Sequence, residues 1–565
     1  MMGRYLLVAH IVPFILAKSE VPEIPETPLL ATVEWSPSTG FSMSKGSLTK
    51  KATTVAWGNF TNAINQTGWS FFEVETDASF PDEIQAHAAG YLEGQLTSKL
   101  IYWHWINNMR TYCQDKEELC QRIVKHVHAN TLWIQSMVEK KRKARAYWHQ
   151  VGLSYDQYNG LVAGYNSSTD TDIIPHGHLF WLNLFGDIID LEQAYTYKYN
   201  LTNDHQKGDG HCSVLIKVLP NANDLLLAHD TWLKYSAMLR VLKKYTLGYK
   251  MSGRPGSKAI PGRSMTFSSY PATLFSADDF FTISSGLAVT ETTNENFNPK
   301  LWQYVRPKGQ ILNFARVMVA NRLATNGKHW TKIYAKHNSG TYNNQWMVVD
   351  YKRFKPGRKL RSGLLWILEQ FPGHIHAEDM TKVLEKQSYW SSYNVPFFSN
   401  MYNLSHFEEQ RRKYGNFFSH DQTPRALIFK RDQPQVVDLK SAIRLMRSNN
   451  YKTDPLSICA ECDPPYNAEY AISARNDLNE RNGTYPLSIF GEGCAGGYDM
   501  KITNKDMFEK LEFIAQSGPT FDSLPPFQWS KSDFDFLVSH VGQPDLWNFA
   551  PIHHIWKLPT LARSP

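Results

Sequence analysis

From Pro81 onward the apolar residues fall at helical spacing. Ile84, Ala88, Tyr91, Leu92, Leu96, Leu100, Ile101 and Trp105 line one face, and Asp82 and Glu83 stand in the first turn, where acidic side chains suit the helix dipole. The same period predicts helices over 124–150, 154–163, 179–195, 233–247, 307–323, 380–389 and 439–448, with Arg316 and Arg322 on the outer face of their helix. Short apolar runs rich in Trp, Val, Ile, Phe and Thr predict strands within 53–75 and over 265–270, 280–293, 345–350 and 364–369. Strands flanked by helices on both sides suggest a layered αββα sandwich.

One stretch alternates with period two. Ser213-Val214-Leu215-Ile216-Lys217-Val218-Leu219 reads as a strand, Pro220 to Asp224 as a turn, and Leu225 to Ala228 as a second strand ending in His229-Asp230-Thr231-Trp232. Upstream, Gly208-Asp209-Gly210 marks a tight exposed turn, so Cys212 stands at the mouth of the hairpin. Residues 196–210 are polar and form an exposed linker that autocleavage or a protease would open. A chain cut between His211 and Cys212 would carry a thiol and a free α-amine on one residue. An α-amine titrates near pH ~7.7–8.0 and can act as base for its own side chain. The bland alternative is a buried, inert cysteine.

The composition narrows the class. The chain has 565 residues, 42% hydrophobic and 20% charged, as a folded globular protein does. Its net charge of +7 is spread along the chain. The densest basic run, Lys140 to Arg145, lies in a helical pattern and reads as a solvated face. No basic patch is interleaved with aromatics, which argues against nucleic-acid binding and leaves contact with a lipid surface open. Arg4 followed by an apolar core through Ala17 reads as a signal peptide over 1–18, too short to span a bilayer. Six Asn-X-Ser/Thr tripeptides, at Asn59, Asn65, Asn166, Asn200, Asn403 and Asn482, agree with a glycosylated luminal or secreted protein.

There are six cysteines. Cys113 and Cys120 enclose a short polar loop that one disulfide can close. Cys459-Ala460-Glu461-Cys462 reads as a redox pair, half a zinc site or a small structural disulfide, and an oxidising lumen favours the disulfide. Cys494 sits in a glycine-rich loop with no base beside it. In Pro175-His176-Gly177-His178 no further ligand follows at helical spacing, so the two histidines read as a turn. Neither a metal nor a cofactor is expected.

Gly-Asp-Gly-His-Cys-Ser-Val-Leu-Ile-Lys-Val-Leu-Pro, followed by Ala-His-Asp-Thr-Trp, resembles the phospholipase B-like family of lysosomal and secreted N-terminal-nucleophile hydrolases, which cut themselves before the cysteine. The likeness continues through His337 to Trp346, Ala471 to Leu478, Pro525 to Trp529 and Gly542 to Trp547. It implies a four-layer αββα fold, α+β in class, with 19–211 as a mostly helical N-terminal fragment, removed or retained after cleavage. Residues 212–565 would carry the nucleophile and most of the core. It also implies the pairings Cys113–Cys120 and Cys459–Cys462. Of the site residues, Cys212 would be the nucleophile, Asn394 an oxyanion donor, and Arg425 the arginine that depresses the thiol pKa. Thr293 would hydrogen-bond near the oxyanion, and His229 and Trp232 would line the nucleophile. His229 also reads as a strand-end histidine bonded to backbone, and Thr293 as a turn cap. Bile-salt hydrolases and penicillin V acylases of the wider superfamily place an Arg and an Asp where this chain has His229 and Trp232, which weakens transfer of their substrates.

The expected function is therefore a luminal cysteine hydrolase that opens its own chain and cleaves acyl esters or amides, with phospholipids as leading substrates. The alternatives are an N-acyl amide hydrolase and a lysosomal glycoprotein that matures itself with little external activity.

Overall fold

A computed structural model describes residues 28–46, 48–201, 211–559 and 561–563. The expected signal peptide and most of the linker before His211 lie outside these residues. Eleven strands form the larger sheet, in the order His374–Asp379, Leu365–Phe371, Asn344–Asp350, Leu287–Thr293, Phe280–Ile283, Ser264–Ser269, Val241–Thr246, Trp69–Thr76, Thr54–Ala63, Leu29–Ser36 and Gly40–Lys45. Neighbours are antiparallel except at one place, where Trp69–Thr76 runs parallel to Val241–Thr246. The smaller sheet is built on the hairpin His211–Val218 and Leu225–Lys234. It is flanked by Tyr389–Ser392 on one side and by Asp499–Thr503, Ile514–Ser517 and Ile552–His553 on the other, and Ala495–Gly497 adds a short strand.

Alternation along the strands sorts side chains into layers. Phe71, Leu242, Phe280, Met347 and Ile367 of the larger sheet pack against Val214, Ile216, Leu225 and Leu227 of the smaller one, giving a dry layer between the sheets. On the far face of the larger sheet, Phe72, Tyr245, Phe267, Val289 and Trp346 meet the helices Asp82–Leu96, Ala146–Asn166 and Asn313–Leu323. On the far face of the smaller sheet, Leu215, Leu226, Ala228 and Met500 meet the helices Pro424–Asp432 and Leu439–Met446. Asp82–Leu96 and Ala146–Asn166 cross with almost no gap. A Cβ at Gly90 would stand 1.9 Å from the Gln157 carbonyl oxygen, and one at Gly160 would stand 2.0 Å from that of His87.

Several elements differ from the sequence expectation. Residues 233–247 hold the end of one strand, a single 3-10 turn and the strand Val241–Thr246 rather than a helix. Burial on both faces hid the alternation, because Lys243 is itself buried against Glu93 at 2.7 Å. Arg316 and Arg322 are fully buried rather than outward. Arg316 donates to the Tyr334 carbonyl and Gln370 Oε1, and Arg322 to Ser154 Oγ and Gln157 Oε1. Residues 124–150 belong to two helices, Glu117–Lys141 and Ala146–Asn166, broken at the exposed basic run. The part before Cys212 supplies four strands of the larger sheet as well as helices.

Cys113–Cys120 and Cys459–Cys462 are disulfides, with Cα atoms 5.9 and 5.3 Å apart. Five of the glycosylation candidates, Asn65, Asn166, Asn200, Asn403 and Asn482, are exposed, and Asn59 is half-buried. No helix among the described residues is long and apolar enough to cross a membrane.

Candidate active site

Register places the chemistry. Cys212 pairs with Thr231, Val214 with His229, and His229 in turn with Lys501. Val214, Ile216, Leu225 and Leu227 face the layer between the sheets. Period two therefore turns Cys212, His229, Thr231, Asp499 and Lys501 into that same layer, and Ser213, Asp230 and Trp232 toward the outer helices. The apolar inter-sheet layer thus ends in a buried polar cluster.

In the intact chain the nitrogen of Cys212 is a peptide N–H that donates to Asn394 Oδ1 at 3.2 Å. Asn394 has φ +69°, in the left-handed region that asparagine tolerates better than most residues, and its Nδ2 donates to the Thr293 carbonyl at 2.7 Å. Arg425, at the start of its helix, donates through Nη1 to the Cys212 carbonyl and through Nη2 to the Tyr393 carbonyl, both at 2.8 Å. Its guanidinium lies 4.3 Å from the Trp232 ring centre, and the Trp232 indole donates to the Ile472 carbonyl. The structure therefore gathers Cys212, Asn394, Arg425, Thr293 and Trp232 at one strand end. His229 is buried beside them on the inter-sheet side.

The electrostatics depart from expectation at one point. Arg425 addresses the backbone of Cys212, and the thiol of the intact chain is pushed up, first by burial and then by Glu291. His229 is held neutral by burial and by Lys501. Behind the thiol, Arg240 and Lys501 bind Asp278 and Asp499: Arg240 Nη1 is 2.6 Å from Asp499, and Lys501 is 2.9 Å from both carboxylates. These two cations keep Asp278 ionised despite its burial. Among the described residues Asp279, Glu291 and Asp230 form no ion pair, and burial raises all three carboxyls.

A cavity of about 570 Å³ opens onto Cys212, Trp232, Thr293 and Glu291. Its opposite wall is the helix Phe185–Tyr199, whose Phe185, Ile188 and Ile189 give it an apolar side. Gly186 of that helix lets the Tyr342 ring pack against the backbone, since a Cβ there would be 1.9 Å from the ring. So placed, the Tyr342 hydroxyl reaches Glu291 Oε1 at 3.1 Å.

Sequence reasoning missed Glu291, Asp278, Asp279, Arg240, Lys501 and Tyr342. The available signal was charge within apolar strands, as in Tyr498-Asp499-Met500-Lys501-Ile502. Cys494 is half-buried, and its carbonyl accepts from Tyr235. His178 accepts from the Trp105 indole at 3.2 Å and is not among the cavity walls.

The family model described as Phospholipase B matches residues 56–554. The human protein named "Putative phospholipase B-like 2" is 46% identical over 512 residues, covering 89% of this chain and 86% of its own length. "Putative phospholipase B-like 1" of Caenorhabditis elegans is 40% identical over 513 residues, covering 89% of this chain and 88% of its own. "Phospholipase B-like protein B" of Dictyostelium discoideum is 35% identical over 531 residues, covering 92% and 88%. With likeness of this extent on both sides of Cys212, the chain belongs to the phospholipase B-like family.

Proposed function

We propose that this protein is a luminal cysteine hydrolase of the N-terminal-nucleophile type. It opens its own chain between His211 and Cys212 and then cleaves acyl ester or amide bonds, with phospholipids as the leading substrates. The observation that carries this reading is the setting of Cys212. It heads an interior strand, faces a cavity with one apolar wall, and has its nitrogen and carbonyl each held by a side chain, Asn394 and Arg425. The helix–sheet–sheet–helix layering supports the corresponding αββα fold class, and the family's phospholipase name supports the lipid.

Maturation and turnover share one chemistry. In the intact chain the Cys212 sulfur adds to the His211 carbonyl, the peptide nitrogen leaves as an amine carrying the thiol proton, and water hydrolyses the resulting thioester. The freed amine then serves as base for the same sulfur. That role suits a thiol whose surroundings keep it protonated at rest. The sulfur attacks the substrate carbonyl, Asn394 and a backbone N–H stabilise the oxyanion, and water releases the acyl group. Arg425 holds the nucleophile's own carbonyl in place throughout.

N-terminal sequencing of the larger mature fragment tests the reading, and Cys212 is the expected first residue. A single uninterrupted mature chain, or a fragment beginning elsewhere, would remove the mechanism. Matched ester and amide lipids then assign the substrate: turnover of the amide alone would exclude the phospholipase assignment, and cleavage without turnover of either would leave self-maturation as the sole activity.

A further inference from the structure

Cys212, His229 and Glu291 each offer a ligand atom, and the three atoms lie within 4.8 Å of one another. This is the one group of three or more such side chains among the described residues. We propose that these residues form a zinc site that captures the Cys212 sulfur and holds the enzyme in a reversibly blocked state.

The donors are a thiolate, an imidazole and a carboxylate, the set that zinc takes in tetrahedral sites. Bonds of roughly 2.0–2.3 Å put donors about 3.3–3.6 Å apart around such an ion, so the side chains need close by at most roughly 1.5 Å. Among the described residues, Glu291 Oε2 is buried with no hydrogen-bond partner and the buried His229 Nε2 has no well-aligned one, which is costly unless something else binds them. The other atoms of the same groups are oriented from behind, as second-sphere contacts orient metal ligands. His229 Nδ1 is 3.4 Å from Thr231 Oγ1, which is itself 3.0 Å from Asp278, and Tyr342 holds Glu291 Oε1. Cys212 and Glu291 both line the cavity, which gives the ion a way in and leaves its fourth position open to solvent.

All three donors stand together in the intact chain, so the site itself does not rest on the cleavage reading. Its consequence, a blocked sulfur, does rest on Cys212 being the nucleophile.

The test uses the full chain, stripped with a chelator and loaded with zinc chloride or cobalt chloride alone. We expect one ion per chain and, with cobalt, a thiolate charge-transfer band in the near ultraviolet. X-ray absorption of the zinc form should show one sulfur at about 2.3 Å and one imidazole. The remaining cysteines other than Cys494 are in disulfides, so a band unchanged in Cys494→Ser assigns the sulfur to Cys212 without touching the site. His229→Gln and Glu291→Gln should each weaken binding by roughly 10–100-fold or more. Absence of the band in the wild-type protein, a shell of nitrogen and oxygen only, or a band lost in Cys494→Ser would each overturn the site. A normal band with zinc-insensitive turnover would keep the site and defeat the reading of Cys212 as nucleophile.

Discussion

The cluster around Lys243 and the cluster around Cys212 are equally buried and differ in how their polar atoms are satisfied. Lys243 directs its three protons to Glu93 Oε1 at 2.7 Å, the Tyr270 carbonyl at 2.9 Å and the Thr273 carbonyl at 2.6 Å, while Tyr245 donates to Glu93 Oε2 at 2.5 Å. Near Cys212, by contrast and among the described residues, Glu291 Oε2 has no hydrogen-bond partner, His229 Nε2 has no well-aligned one, and Glu291 and Asp279 form no ion pair. The first arrangement locks helix Asp82–Leu96 onto the sheet. The second leaves polar capacity unused beside a cavity, a setting in which reactive groups are often found. Between these two clusters, satisfied burial goes with a structural tie and unsatisfied burial with the proposed site.

Substitutions can break or sharpen that contrast. The largest effect is expected for Cys212→Ala: lipid turnover and self-cleavage fall by roughly 10⁴-fold or more, while thermal stability of the intact chain holds. Activity assays beside melting curves check this. Next, Lys243→Met leaves the Glu93 carboxylate buried and unpaired and should cost about 3–5 kcal/mol, read by denaturant unfolding. Third, Glu369 lies buried under the Phe397 and Phe398 amides and Gln345, and burial raises its carboxyl to about 7. A group raised in the folded state binds more protons folded than unfolded, so its contribution is fully present below about pH 4.5 and is lost as pH rises through 7. Wild type should therefore lose stability relative to Glu369→Gln across that window, by at most roughly 3 kcal/mol, as seen in paired melts from pH 4.5 to 7.5. The smallest change is expected for Glu291→Gln, which removes a carboxyl with an idle oxygen and should shift stability by under about 1 kcal/mol, in either direction. A loss as large as that of Lys243→Met would show the two clusters to be alike.

The hairpin that carries Cys212 was legible because its turn and period-two pattern are local, so Cys212, His229 and Trp232 could be placed together at its open end from sequence alone. The partners of Cys212 were not legible by that route. Asn394 and Arg425 lie 182 and 213 residues away, and were reached through the family likeness instead. Glu291 and Lys501 come from other strands, and nothing in their neighbourhoods announces the meeting. Residues 233–247 were misjudged because a strand buried on both faces does not alternate, and Arg316 and Arg322 because a charged residue in a helix is normally solvated. In each case tertiary burial overrode the local rule.

The parallel pairing of Trp69–Thr76 with Val241–Thr246 ties together stretches from either side of the His211–Cys212 bond. A molecule opened at that bond is two polypeptides sharing one sheet, and once unfolded its halves must find each other by diffusion rather than through a tether. Refolding yield should then fall on dilution for the opened protein and stay constant for the unopened one. Maturation would give the protein a direction in time, with assembly possible before the cut and only persistence after it.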